Sequence, residues 1–340
     1  MVWPAVTGPV AAGALALQYQ LERSQWLPPR DLGELQLRQL DAVARHAWLT
    51  VPFYRWHWHG DYAAGESLTR ATFERLPLTP RQSLHYDHEE LRSSASPPAH
   101  GAISERALAG SEGMLETELA GRWRQALELR DHLWHRRDFD GTLAEIGTEV
   151  EEGEARGWGA ATGMIAAAGR SVFLGATAGL DLQLEWLQRH EPEYLLTAPS
   201  NAAALAQGSI ARGIRLPKLR EVRSSGAPVD ADTREHCRRA WNVPVTGTYA
   251  SGEAGCLALQ CPDHEHYHVQ SESVLVEVLD ERDRACPPGS MGRIVITTLQ
   301  NFAMPLVRFE SGDLAEVGAA CPCGRGLPVL RRIVQHGRRD

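Results

Sequence analysis

Between residues 180 and 251 the sequence alternates between two periods. The stretches "LDLQLEWLQRH", "SNAAALAQGSIARG" and "DADTREHCRRAW" repeat apolar residues at helical spacing. The stretches "EYLLTAP", "LREVRSSGAP" and "VPVTGTYASGE" between and after them are short, apolar and end in turn residues, as strands do. Strands joined through helices run parallel and need cover, so the predicted fold class is α/β, a parallel sheet covered by helices. Such sheets meet their ligands at the carboxyl ends of the strands. "SSGAP" and "YASGE" both leave strands at that edge.

The flanks differ from this middle. Leu35, Leu37, Leu40, Val43 and Ala44 recur at roughly helical spacing, and the pattern stops before "TVPFY". "LPLTPRQSL" and the Pro/Ser-rich loop "SSASPPAHG" follow, and "ETELAGRWRQALELRDHLWHRRDF" reads as a long helix. Beyond Cys261, "HVQSESVLVEVLD", "GRIVITTL" and "PLVRFESGDLAEV" are strand-like and separated by turn signals such as "PPG", which predicts a smaller antiparallel β subdomain. The expected organisation is a helical region over residues 1–100, an α/β core over 101–260 and the β subdomain over 261–340.

A net charge of -8 disfavours a duplex nucleic acid partner, which requires a basic face. The N-terminal apolar run is short and lacks a basic flank, so neither a signal peptide nor a membrane span is expected, and the chain reads as cytoplasmic. There the six cysteines stay reduced, which favours burial or metal ligation over disulfides. Small molecules are the expected partners.

The last third resembles the phenylacetate-CoA ligase branch of the adenylate-forming enzymes. "TYASGEAG", "CPDHEHYHV", the run from "VLVEVLDERDRACPPGSMGRIVITTLQ" to "NFAMPLVRFESGDLAEV", "CPCGRGLPVL" and "HGRRD" occur in that family's order. "TVPFYR", "LPLTPRQSL" and the loop at 109–115 extend the likeness upstream. The resemblance implies that ATP and a carboxylic acid form an acyl-adenylate and that CoA or another acceptor, such as a carrier protein, then displaces AMP.

It also implies site residues. Asp313 in "RFESGD" would accept hydrogen bonds from the ribose, although an isolated "SGD" is commonly a turn cap. Tyr249 and Glu253 in "YASGE" would lie near the adenine and ligate Mg²⁺, as the family's catalytic pair. Gly226, Ala227 and Pro228 would flank the adenine, Arg338 would reach the ribose, and Gly110, Ser111 and Gly113 would cradle phosphate. Trp123, Trp134 and Trp186 are candidates for an apolar acid pocket, with core packing the plain alternative. Cys237, flanked by basic residues, reads as a buried helix cysteine rather than a nucleophile.

Cys261, Cys321 and Cys323 flank the β region, and three thiols with one imidazole make a closed structural zinc site. The resemblance points to His268 as the fourth ligand. If the stretch is extended, His264, His266 and His268 share a face, which leaves His266 open as well.

Two features depart from the family. Its phosphate loop is rich in hydroxyl residues and continues to a basic one, whereas "AGSEGMLETELAG" contains no Lys or Arg and places Glu112 in the loop. A carboxylate about 4 Å from a phosphate oxygen costs on the order of 4 kcal/mol at an effective dielectric near 20. The chain also ends at Asp340, near the family's hinge, so the C-terminal lid domain with its transition-state lysine is expected to be absent, or supplied by a separate protein. The leading expectation is an ATP-dependent acid-activating ligase. The alternative is a repurposed homologue that binds a carboxylate, an acyl conjugate or a partner protein without using ATP.

Overall fold

The computed structural model of the protein describes residues 8–63, 65, 67–108, 111–148, 150–163, 165, 169–224 and 227–335, with backbone alone at 108, 111 and 112. The chain forms two compact units, one built on residues 131–249 and the other on 13–130 together with 250–340.

The second unit contains a hairpin of β1 (Ile103–Leu108) and β2 (Ser111–Thr117), paired antiparallel, which runs straight into the helix Glu118–Trp134.

The first unit is the α/β layer that the alternation predicts. Its sheet uses β3 (Thr142–Gly147), β4 (Gly153–Arg156), β5 (Arg170–Gly175), β6 (Tyr194–Thr197), β7 (Glu221–Ser224) and β8 (Val245–Ser251). β5, β3, β6, β7 and β8 are neighbours in that order and run parallel, while β4 pairs antiparallel with β5 at the edge. The helices Leu180–His190, Pro199–Arg212 and Ala231–Trp241 supply the crossovers. Their ends follow from local chemistry. Asp230 caps the third helix by accepting the Thr233 amide at 2.6 Å, and Glu191, Gly213 and Asn242 close the three helices in left-handed conformation. Leu184, Leu187, Ala202, Leu205 and Cys237 meet Ala144, Val172, Leu195 and Val222 in one apolar core.

A buried ion cluster lies in the same unit. Arg137 grips Glu221 with two hydrogen bonds (2.7 and 2.8 Å), donates to Asp131 at 2.6 Å and reaches Thr246 at 3.2 Å. It thereby ties the residues after the helix Glu118–Trp134 to β7 and β8.

In the second unit, β9 (Gly255–Gln260), β10 (Tyr267–Val269), β11 (Val274–Leu279), β12 (Met291–Thr298), β13 (Phe309–Val317) and β14 (Val329–Val334) form an antiparallel array in spatial order β11-β12-β13-β14-β10-β9, as expected beyond Cys261 but with β9, which precedes that bound, included in it. The helix Pro29–Thr50 buries Leu32, Gln36, Leu40, Val43, Ala44 and Ala47. Leu35, expected on that face, is 45% exposed. Gln36 takes an inward position because its amide donates to the Ser271 and Val274 carbonyls at 3.0 and 3.2 Å, and a buried carbonyl without a partner is costly. Tyr54 of "TVPFYR" likewise donates to the Pro305 carbonyl and accepts from the Val307 amide.

Gly326 has no room for a side chain, because a Cβ there would overlap the Leu27 carbonyl, which is backbone and cannot swing aside. Gly326→Ala should destabilise the protein by about 1–3 kcal/mol, the usual cost of overpacking, read as a lower midpoint in urea denaturation.

Candidate functional site

Of the stretch expected to wrap phosphate, residues 111–117 form the second strand of the hairpin. Gly113 lies on β2, and its carbonyl accepts from Nε2 of the buried His88 at 2.8 Å. Gly110 lies outside the described residues, as do the side chains of Ser111 and Glu112. The acidic residues beyond them are compensated by arginines from neighbouring segments. Glu116 is held between Arg106 on β1 (3.1 Å) and Arg124 on the following helix (2.5 Å), and Glu118 pairs with Arg122. Opposite charges at these distances cancel most of the field the two carboxylates would project onto an anion. The stretch itself contains no basic residue; strand pairing brings Arg106 to it, and the first two turns of the helix bring Arg122 and Arg124.

In the first unit, Tyr249 sits on β8, almost fully buried. Ser224, the last residue of β7, pairs in register with Gly247, so Tyr249 lies beyond the end of β7, on the same carboxyl edge as Ala227 and Pro228. Gly226 and Arg338 lie outside the described residues.

In the second unit, Asp313 lies on β13 at an irregularity where Arg293 pairs with Leu314 but Val295 pairs with Glu310. Gly312 makes that bulge at φ +84°, and the Asp313 amide donates to the Ser311 hydroxyl at 3.1 Å. Arg81 joins this turn to Glu253. Its guanidinium donates to the Ser311 carbonyl and lies 3.4 Å from Glu253 Oε1. Arg81 belongs to "LPLTPRQSL", which marks only a turn and a cap by pattern, so nothing local reveals that it bridges two segments more than 170 residues away.

The same unit gathers Cys261, His268, Cys321 and Cys323, whose ligand atoms all lie within 4.8 Å of one another. Cys261 directly follows β9, His268 is on β10, and the other two cysteines occupy the turn between β13 and β14. The Cys261 and Cys321 sulfurs are 3.9 Å apart, and Cys323 Sγ is 3.5 Å from His268 Nε2. Tetrahedral Zn–S bonds of about 2.3 Å place two sulfurs about 3.8 Å apart, so the donor set fits a closed S₃N zinc site. His268 Nδ1 faces the Leu327 carbonyl at 3.4 Å, which orients Nε2 toward the thiols.

Burial pushes the Cys321 thiol up to about 12 and the Cys261 thiol up as well. At Cys323 burial acts the same way, but hydrogen bonding from the Arg325 backbone and its neighbours outweighs it and lowers the pKa. Burial also lowers His268 to about 4, so its imidazole stays neutral at physiological pH. His264 and His266 stack on each other outside the cluster, because the strand begins only at Tyr267 and the alternation does not extend back to them.

The chain is 28% identical over 327 residues to phenylacetate–coenzyme A ligase of Thermus thermophilus, spanning 91% of this chain and 71% of that one. A solved structure of 2-hydroxyisobutyryl-CoA ligase in an open conformation, with 2-HIB-AMP and CoA, aligns over 91% of this chain and 76% of its own, with a TM-score of 0.72 at 18% identity. A second structure of that ligase, in the thioesterification state, aligns with a TM-score of 0.71 over 92% of this chain and 70% of its own, also at 18% identity. The chain has the fold of the adenylate-forming CoA ligases. No protein-family profile matches the sequence.

The remaining candidates fall into place within that fold. Trp186 and Trp134 are buried, the former in the α/β core, whereas Trp123 lines a cavity in the second unit. Cys237 is fully buried and pushed up to about 12 by that burial, which leaves it unreactive. Among the described residues no helix is long and apolar enough to cross a membrane.

Proposed function

We propose that the protein activates a carboxylic acid with ATP as an acyl-adenylate and passes the acyl group to CoA or another thiol acceptor. The observation that carries this reading is the likeness to phenylacetate–coenzyme A ligase through 91% of the chain, because coverage of that extent spans both the sheet edge bearing Tyr249 and the segments bearing Arg81 and Glu253. In this reading Tyr249 packs beside the adenine, with Gly226, Ala227 and Pro228 along its other side. Asp313, presented by the Gly312 bulge, accepts from the ribose hydroxyls, and Arg338 reaches the same sugar. Gly110, Ser111 and Gly113 meet the phosphates, and the arginines on Glu116 and Glu118 support that role by offsetting those two carboxylates.

Glu253 fits Mg²⁺: a carboxylate is a hard oxygen ligand, and Arg81 engages only Oε1. Mg²⁺ there would offset phosphate charge, and Arg81 would fix the carboxylate that holds it. We also assign the thiol–imidazole cluster to structural zinc, with all four positions filled by protein and none left for chemistry.

Calorimetric titration with ATP and AMP, alongside acid-dependent pyrophosphate exchange over a panel of carboxylic acids, tests the reading. Absence of nucleotide binding would overturn it in favour of a homologue that binds carboxylates or acyl conjugates without ATP. Asp313→Ala should weaken AMP binding by about one to two orders of magnitude, since hydrogen bonds to a charged group contribute about 1.5–3 kcal/mol each. The same titration measures it.

A further inference from the structure

A metal bound by the thiol–imidazole cluster has to cross the protein surface to reach it. Cys261, His268 and Cys321 are 1%, 0% and 7% exposed, and Cys323 alone of the four is half-buried. The surfaces on the two sides of the cluster differ in charge. Beside Cys323 stands the guanidinium of Arg325, stacked on Trp26, which repels a dication. On the other side lies the turn "DHEH", closed by the Cys261 amide donating to the His266 carbonyl at 2.9 Å. Its Asp263 and Glu265 are exposed and attract a dication, and the Arg331 guanidinium near His266 is paired with Glu316 at 3.1 Å.

Three imidazoles descend on this acidic side. His264 is exposed, His266 half-buried and His268 fully buried. Ring centroids are 5.1 Å apart between the first two and 5.4 Å apart between the second two. Two imidazoles that share one zinc ion, at Zn–N distances of about 2.1 Å and a tetrahedral angle, have centroids about 5 Å apart. Each step of the ladder therefore has the spacing at which an ion can gain the next ring before leaving the last. His266 carries a further mark. Its Nε2 is buried and has no hydrogen-bond partner among the described residues, an uncompensated state for an atom able to ligate a metal.

We propose that His264 and His266 form an entry site that captures a divalent zinc ion from solvent and passes it to His268 and the three thiols. The inference rests on the assignment of the cluster to zinc. Two imidazoles leave the other positions of the ion to water, so the entry site holds it weakly, whereas three thiolates and an imidazole hold it tightly and draw it inward. At each handover one ligand replaces another. Water and the imidazoles of His264 and His266 leave, Cys261, Cys321 and Cys323 bind as thiolates, and the thiol protons pass to solvent.

The zinc-loaded full chain tests this without reference to turnover. Exchange of its zinc with an excess of isotopically enriched zinc is followed by mass spectrometry of the metal after desalting. An ion leaves by the path it entered, so His264→Ala and His266→Phe should each slow exchange about tenfold, the effect of about 1.4 kcal/mol on a barrier. Zinc content and melting temperature should match the wild type, because neither ring is a ligand of the final site. Asp263→Asn combined with Glu265→Gln should slow exchange several-fold at low salt and little at high salt, where screening already removes the attraction.

His264→Ala, at an exposed position, keeps the test decisive even if His266→Phe disturbs the turn. Unchanged exchange in His264→Ala would overturn the entry site and leave the structural zinc in place. Zinc lost from His264→Ala at equilibrium would overturn it too, by making that ring part of the final site. A wild-type protein that holds no zinc would overturn the zinc assignment itself, and the entry site with it.

Discussion

One zinc ion per chain is the expected metal content of the purified protein, and Cys321→Ser is expected to lose it along with much of the stability of the β unit. The cluster draws its ligands from the end of β9, from β10 and from the turn before β14, segments separated by up to 62 residues, as Cys261 and Cys323 show. A metal that binds only when these meet adds its binding energy to folding. In zinc-finger peptides that energy is about 10–16 kcal/mol, but here it adds to a six-stranded array with its own hydrogen bonds, so several kcal/mol is the reasonable scale. For a unit of this size, that corresponds to a fall in melting temperature of roughly 10 °C, at 2–4 °C per kcal/mol. Elemental analysis measures the zinc and a thermal melt measures the loss. Cys286→Ser, outside the cluster, should change neither. Purified protein without zinc, together with a Cys321→Ser melt like the wild type, would reduce the cluster to buried thiols.

How much of this architecture was legible depended on whether a signal was local. The helices and strands from Leu180 to Ser251 alternate cleanly because each element buries one face against the same parallel sheet, and that burial imposes its period on the sequence. The Cys261, Cys321 and Cys323 grouping was also visible, because thiols are rare enough that three near one β region are conspicuous. The identity of the histidine was not, since choosing among His264, His266 and His268 requires knowing that the strand starts at Tyr267.

Charge compensation was the least legible. "AGSEGMLETELAG" is acidic as a string, yet Arg106 arrives through strand pairing and Arg124 through two turns of helix. Arg81 and Arg137 carry no local mark either. Each is one arginine in a surface-like sequence, and only the fold places it between a carboxylate and a second segment.

Arg137→Met should be the most destabilising single substitution outside the core. The Arg137 side chain is 1% exposed and satisfies two buried carboxylates at once, Asp131 and Glu221. Removing it leaves both acids buried without their main partner, and breaking a buried pair in this way costs about 3–5 kcal/mol. The pH dependence separates this cause from lost packing. In the wild type, burial would raise the Asp131 pKa, but Arg137 first, then Arg223 and the neighbouring histidines, pull it well below its ordinary 3.8. A depressed carboxylate contributes stability above its unfolded value and loses it as pH falls through that value toward the folded one.

In Arg137→Met the balance tips back toward burial. The folded state then takes up a proton more readily than the unfolded chain, and stability rises as pH falls. The gap between wild type and variant in urea denaturation should therefore be widest near pH 7 and narrow steadily toward pH 4. A gap independent of pH would assign the loss to packing alone. Arg137→Lys restores the charge but not the two-pronged grip on Glu221, so it should recover the pH slope more fully than the stability.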